Sequence, residues 1–366
     1  MAAPFRTRLT DWTVFVPVLA ILVLFLTWGR DLSGPVVVVV AVLLAGAVLA
    51  AVHHAEVVAH RVGEPYGSLV LAVAVTVIEV ALIVTLMISG GEKTASLARD
   101  TVFAAVMITC NGILGLSLLL GALRRRVAVF NPEGTGGALA TVTTLATLSL
   151  VVPTFTTSRP GPQFTPTQLA FAAVASLALY GLFVMVQTGR HRDYFLSVNS
   201  QGRVLDPEEH AEPPSNRAAL LSLGLLVVAL VAVVGDAKSV SPAIESAVAG
   251  ANLPPSFVGV IIALLVLLPE TIAAARAARR DRVQISLNLA LGSAMASIGL
   301  TIPAIALASI WLEGPLLLGL GGTQLTLLAL TVVTSVLTVV PGRATVLQGG
   351  VHLVLLAAFV FLAASP

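Results

Sequence analysis

Two glutamates, Glu79 and Glu270, stand inside long apolar runs, VLAVAVTVIEVALIV and FVGVIIALLVLLPETIAA. An ionised carboxylate in mid-membrane costs at least about 2.5–3.5 kcal/mol, so one is retained where it has a partner or a task. No lysine or arginine falls at comparable depth in these runs, which leaves a mobile cation or a proton as the expected counter-charge. Of eighteen acidic residues, only these two are expected deep inside apolar spans. A carboxylate pair neutralised by a cation facing one side and by protons facing the other is an exchange site.

A hard divalent cation such as calcium takes six to eight oxygens, of which two glutamates supply at most about four. The others would come from water, hydroxyls, the Asn111 side-chain oxygen, or carbonyls freed where a helix breaks. Pro269, directly before Glu270, frees the carbonyl one turn earlier. Candidates to line the site are Thr76, Asn111, Gly112, Asn288, Gly292 and Ser293. Each also has a plainer reading: threonine and serine cap or pack membrane helices, and the small residues of GSAMAS (Gly292 to Ser297) let helices approach closely. His352, in the last apolar run, reads either as an interior hydrogen-bonder or as a proton relay. A lone membrane glutamate can simply hydrogen-bond a neighbour while protonated; two at matched positions argue for a site.

The elements that must position these residues follow from composition. Apolar residues make up 57% of the 366 and charged residues only 10%, against about 25% charged in a soluble domain. Too little charge is present to cover a water-facing surface. Eleven spans are expected, at 13–29, 35–52, 68–88, 101–121, 137–154, 168–187, 217–235, 256–275, 283–309, 317–340 and 346–364. With the N-terminus cytoplasmic, fifteen of the twenty lysines and arginines fall in inner connectors, which fixes the orientation and puts the C-terminus outside. The first run follows Arg6 and Arg8 without a small-residue cleavage site and reads as a retained helix.

The two glutamate runs also resemble each other. Pro65 precedes Glu79 by fourteen residues and Pro255 precedes Glu270 by fifteen; the helices that follow open with Arg99-Asp100 and Arg280-Asp281. The expected fold is an all-α membrane protein: an N-terminal helix (1–34), a five-helix repeat (35–187), a polar cytoplasmic linker (188–216) and a second five-helix repeat (217–366). An odd number of helices per repeat inverts the second copy, the plan of many secondary transporters, whose sites lie at the repeat interface near the midplane.

Other classes fit poorly. The net charge of +2 is spread through connectors rather than gathered with aromatics, so no nucleic-acid partner is expected. HHAEVVAH (His53 to His60) lacks metalloprotease spacing and is expected in a connector, so an enzyme is not expected. The single Cys110 excludes an intramolecular disulfide. No cofactor is expected; the partners are membrane lipid and the transported ions, and the oligomeric state is left open.

HAEVVAHRVGEPYGSLVLAVAVTVIEVALI (His54 to Ile83) closely resembles the first signature of bacterial calcium/proton antiporters, also described as sodium/potassium–proton antiporters. These form part of the cation/proton exchanger branch of the calcium/cation antiporter superfamily. LLPETIAAARAARRDRVQISLNLALGSAMASIGLTIP (Leu267 to Pro303) matches the second signature, and PGRATVLQGGVHLVLLAA (Pro341 to Ala358) looks like the C-terminal segment. The resemblance implies Ca²⁺/H⁺ exchange in the bacterial inner membrane, with Na⁺/H⁺ or K⁺/H⁺ exchange as the alternative. It makes Glu79 and Glu270 the paired cation ligands and places the site lining on the helices of Asn111 and Ser293. One departure is the loop between the halves, strongly acidic in some relatives and reduced here to Asp206, Glu208, Glu209 and Glu212 with His210.

Overall fold

The computed structural model describes residues 11–30, 32–63, 66–90, 94–198, 213–311 and 314–366. Arg6, Arg8, Pro65 and the acidic residues of the inter-half loop lie outside these residues. In chain order the helices are α1 (Trp12–Thr27), α2 (Gly34–Val62), α3 (Tyr66–Gly90), α4 (Leu97–Met107), α5 (Leu114–Arg125), α6 (Pro132–Ala146) and α7 (Val152–Phe155). They continue as α8 (Pro166–Thr188), α9 (Asn216–Gly250), α10 (Phe257–Val266), α11 (Leu268–Arg279), α12 (Val283–Ala308), α13 (Gly322–Val339) and α14 (Val346–Ala364). Wider helical turns join α4 to α5 (Ile108–Ile113) and α6 to α7 (Thr147–Val151). A short antiparallel pair, β1 (Ala128–Val129) and β2 (Arg343–Ala344), is the only sheet among the described residues.

Each expected span has a helix or helix pair at its place. Among the described residues nine are long and apolar enough to cross a bilayer unaided; α10 with α11 is a tenth as a bent pair, and α1, at 16 residues, is shorter. Large apolar side chains point outward, among them Phe25 (76% exposed), Leu337 (70%) and Leu347 (73%). Such surface fits lipid, not water.

The chain packs as two compact units, one of residues 1–94 and 208–258, the other of residues 95–207 and 259–366. In the first, α2 packs against α1, α3 and α9, and α9 also against α1 and α3. Small residues set the approach, as in membrane helix pairs generally. A Cβ on Gly46 would stand 2.8 Å from Val16, and one on Gly235 2.4 Å from Leu24. In the second, α12 packs against α4, α5, α6, α8 and α11, and α14 lies against α5. There a Cβ on Gly115 would meet His352 at 2.8 Å and one on Gly349 the Leu119 backbone at 2.7 Å.

Three boundaries differ from expectation. Helix α2 runs ten residues past the expected end of its span, so HHAEVVAH is helical and His54 is fully buried. The span expected at 256–275 breaks at Leu267 with a 53° bend, because Pro269 cannot donate to the carbonyl of Leu265. Helix α9 continues to Gly250 rather than ending near 235. Part of the expected linker is also ordered: Phe195 is buried, edge-on to Phe183, and its carbonyl accepts from Asn288.

Candidate functional site

In the first unit, α3 carries Glu79 at its centre. Thr76, Glu79, Ile83 and Leu86 recur at helical spacing and all are buried, so the carboxylate belongs to the helix face turned into the protein. Glu79 is 3% exposed and Thr76, one turn earlier, 7%. No proline interrupts the backbone there; α3 is continuous from Tyr66 to Gly90.

The second unit holds Glu270 differently. It lies in the first turn of α11, directly after the break, and is half-buried. Helix starts favour negative charge because their N–H groups point outward unpaired, while helix ends and unwound carbonyls favour cations. The break therefore places a carboxylate beside the carbonyl end of α10. Thr271 spans the gap, its N–H and hydroxyl donating to the Leu267 carbonyl at 2.9 and 2.7 Å.

A second polar cluster in this unit joins two residues singled out from sequence. Asn111 lies within the wide turn Ile108–Ile113, where the Leu114 N–H reaches back to the Thr109 carbonyl; such bulges are frequent at functional sites. The His352 Nδ1–H donates to Asn111 Oδ1 (3.1 Å), and the Thr338 hydroxyl lies 3.2 Å from Nε2. Asn111 Nδ2 donates to Thr331 Oγ1 at 2.9 Å. All four side chains are buried. The Asn111 oxygen, expected as a cation ligand, is here engaged by His352. Gly112 packs against Leu356, where a Cβ would stand 3.1 Å away.

The remaining sequence candidates of this unit lie on α12, which packs against the wide turn Ile108–Ile113. The Asn288 side chain is committed at both ends, accepting from Gln284 at 2.9 Å and donating to Phe195 at 2.7 Å, which reads as structural. Gly292 and Ser293, the next turn of α12, are half-buried, and a Cβ on Gly292 would meet nothing within 4 Å.

Sequence reasoning missed one carboxylate. Asp236, in the first unit, is fully buried on α9. The hydropathy of the run fails at Gly235, which set the expected boundary short of it. Ala229, Ala232, Val233, Asp236 and Val240 are buried at helical spacing through that point; the spacing of the apolar members, which runs past Gly235, was the signal available in the sequence.

The chain matches the family described as sodium/calcium exchanger protein over residues 33–189 and 221–364. It belongs to that family. The protein y4hA of Sinorhizobium fredii (strain NBRC 101917 / NGR234) is 46% identical over 362 residues, covering 97% of this chain and 96% of that one. The sodium-potassium/proton antiporter ChaA of Escherichia coli (strain K12) is 34% identical, again over 97% and 96% of the two chains. Among solved structures, that of the H⁺/Ca²⁺ exchanger CAX superposes with a TM-score of 0.66 at 14% identity, covering 96% of this chain and 91% of that one. The exchanger-family fold is therefore the fold of this chain, a multi-pass helical membrane transporter and not an enzyme.

Proposed function

We propose that this exchanger-family chain carries Ca²⁺ in exchange for protons across the bacterial inner membrane, with Glu79 and Glu270 binding cation and protons in competition. The observation that carries the reading is the burial of Glu79, 3% exposed at the centre of an apolar helix in a cation-transporter family. One divalent ion or two protons neutralise two carboxylates equally, so the loaded site has the same charge in either state. Glu270 beside the carbonyl end of α10 supplies the second carboxylate, and Leu265 and Thr76 are candidates for further oxygens. The stretches 35–187 and 217–366 act in this reading as inverted repeats presenting the site alternately to each side, with the N-terminus cytoplasmic and the C-terminus outside. His352, hydrogen-bonded to Asn111, serves as a buried relay for the proton.

The second reading is exchange of Na⁺ or K⁺ for protons through the same carboxylates. The 34% identity to a sodium-potassium/proton antiporter favours it. Everted membrane vesicles holding an imposed pH gradient separate the two readings: Ca²⁺, Na⁺ or K⁺ is added and dissipation of the gradient followed. Calcium is expected to act at the lowest concentration. Glu79→Gln and Glu270→Gln are each expected to abolish the response, and normal exchange by either variant would sink the two-carboxylate mechanism.

A further inference from the structure

Asp236 is a third intramembrane carboxylate, and nothing in the reading above uses it. It is 0% exposed, and neither Oδ1 nor Oδ2 has a hydrogen-bond partner. Burying an ionised carboxylate without a partner costs far more than burying a neutral acid. A side chain retained there binds a proton or a cation.

Few ionisable residues lie on the helices packed in its unit. Helix α1 has no ionisable residue from Trp12 to Thr27; Arg30 follows in the connector. The ionisable residues of α2 are His53, His54, Glu56, His60 and Arg61, all within its last ten positions. Those of α3 are Tyr66 and Glu79, and those of α9 besides Asp236 are Arg217, Lys238 and Glu245. Levels along the unit follow from two cross-contacts at one end: Arg61 donates to Asn216, and Gly67 abuts Ala59. From that end Glu79 lies about 18 Å along α3 and Asp236 about 30 Å along α9, at a rise of about 1.5 Å per residue. The two carboxylates are thus about 12 Å apart along the axis, and the α2 histidines lie further off than Glu79.

The level of Asp236 is also close to water. Lys238, two positions on, is exposed and stands 5.7 Å from the ring centre of Trp28, itself 61% exposed. A lysine–tryptophan pair is characteristic of the membrane–water boundary. Asp236 and Lys238 are about 200° apart around α9, so the lysine faces out while the carboxylate faces in. One helix thus carries a buried acid two positions from an exposed lysine at the boundary with water.

We infer that Asp236 is a proton-binding station of the exchanger, holding an exchangeable proton between Glu79 and the end of the unit marked by Trp28 and Lys238. This rests on the proton-coupled reading above. The proton arrives from water at that end and passes onward toward Glu79, so that the carboxyl alternates between acid and carboxylate during exchange.

The full chain, purified into lipid, gives one test independent of transport. The infrared carbonyl stretch of protonated carboxyls is compared at neutral pH between wild type and Asp236→Asn. The variant is expected to lose a band that in wild type weakens as pH rises or Ca²⁺ is added. Transport supplies the other readout: in everted vesicles Asp236→Asn is expected to slow cation-driven dissipation by at least about tenfold. Asp236→Glu, which keeps a carboxyl, is expected to retain exchange with a displaced pH profile. Thermal unfolding in detergent shows that the variants fold; where Asp236→Asn does not, Asp236→Glu and the wild-type band still decide. A band absent or insensitive to pH and Ca²⁺, an unchanged rate and pH profile in Asp236→Asn, or a folded Asp236→Glu as inactive as Asp236→Asn overturns the inference. Wild-type vesicles that show no cation-driven dissipation overturn the antiport reading instead, whatever the infrared result.

Discussion

The helices around Glu79 and Glu270 began from similar sequence and ended in different backbone. Each run opens near a proline and places one glutamate after four apolar turns. Around Glu79 the helix is continuous and the carboxylate is held in its middle. Around Glu270 the helix bends by 53° and the carboxylate stands at a helix start. The residue immediately before each glutamate accounts for the contrast: Ile78 donates its N–H to the helix ladder, whereas Pro269 has none to donate. Two runs of similar sequence can therefore hold a glutamate within a straight helix in one case and just after a bend in the other.

Exchanging the preceding residues tests that contrast most severely. Ile78 is 1% exposed in the interior of α3. Ile78→Pro removes a ladder bond and clashes with the previous turn, costing about 3 kcal/mol or more. Loss of folded protein on size-exclusion chromatography is the expected result. Pro269→Ala acts in the opposite direction: it restores an N–H for the Leu265 carbonyl and permits α10 and α11 to join. Folded yield is expected to hold while cation-driven gradient dissipation falls about tenfold, the equivalent of about 1.4 kcal/mol. Wild-type exchange by Pro269→Ala would show that the bend serves packing alone.

The contrast also marks what could be read in advance. Span positions were legible because apolar runs of bilayer length are a direct demand of the solvent. The bend was half-legible: Pro269 gave the freed carbonyl, but not where the chain would turn, since that depends on what packs against each half. Asp236 was illegible to hydropathy because DAKS ends the apolar run. Its burial comes from α9 continuing beyond the expected span and turning that face toward the other helices of its unit. The pairing of Asn111 with His352, 241 residues apart, needed the packing of α14 on α5, which sequence does not specify.

That network offers a prediction of intermediate size. His352→Ala leaves the Asn111 oxygen without its His352 partner and opens a space beside Gly115. Each deserted buried polar group costs about 1–3 kcal/mol, so the unfolding midpoint is expected to drop clearly. His352→Gln, which can still donate to Asn111, is expected to recover most of that stability. If the histidine relays protons, exchange stays slow in the glutamine variant even though the fold is restored; full exchange there would reduce His352 to a structural residue.

The smallest expected effect comes from the other feature the two glutamate runs share. Arg99-Asp100 and Arg280-Asp281 open the helices that follow the glutamates, yet their aspartates have different surroundings. Asp100 is 4% exposed; it pairs with Arg99 at 2.8 Å, accepts from Ser96 at 2.8 Å and lies 3.4 Å from Gln324. Asp281 is exposed and pairs not with its neighbour but with Arg125, at 2.7 Å, across a connector where its own φ is +67°. Asparagine suits both positions sterically and tolerates a positive φ, so the same substitution isolates charge. Asp100→Asn leaves a mostly buried arginine without its counter-charge, the Gly319 carbonyl remaining as an acceptor, and is expected to cost about 3 kcal/mol. Asp281→Asn removes a pair whose arginine is 66% exposed, and such pairs are worth at most about 1 kcal/mol. Unfolding midpoints measured side by side in detergent should separate the two variants clearly. Equal losses would mean that the connector at Asp281, despite its exposure, is held as firmly as the buried start of α4.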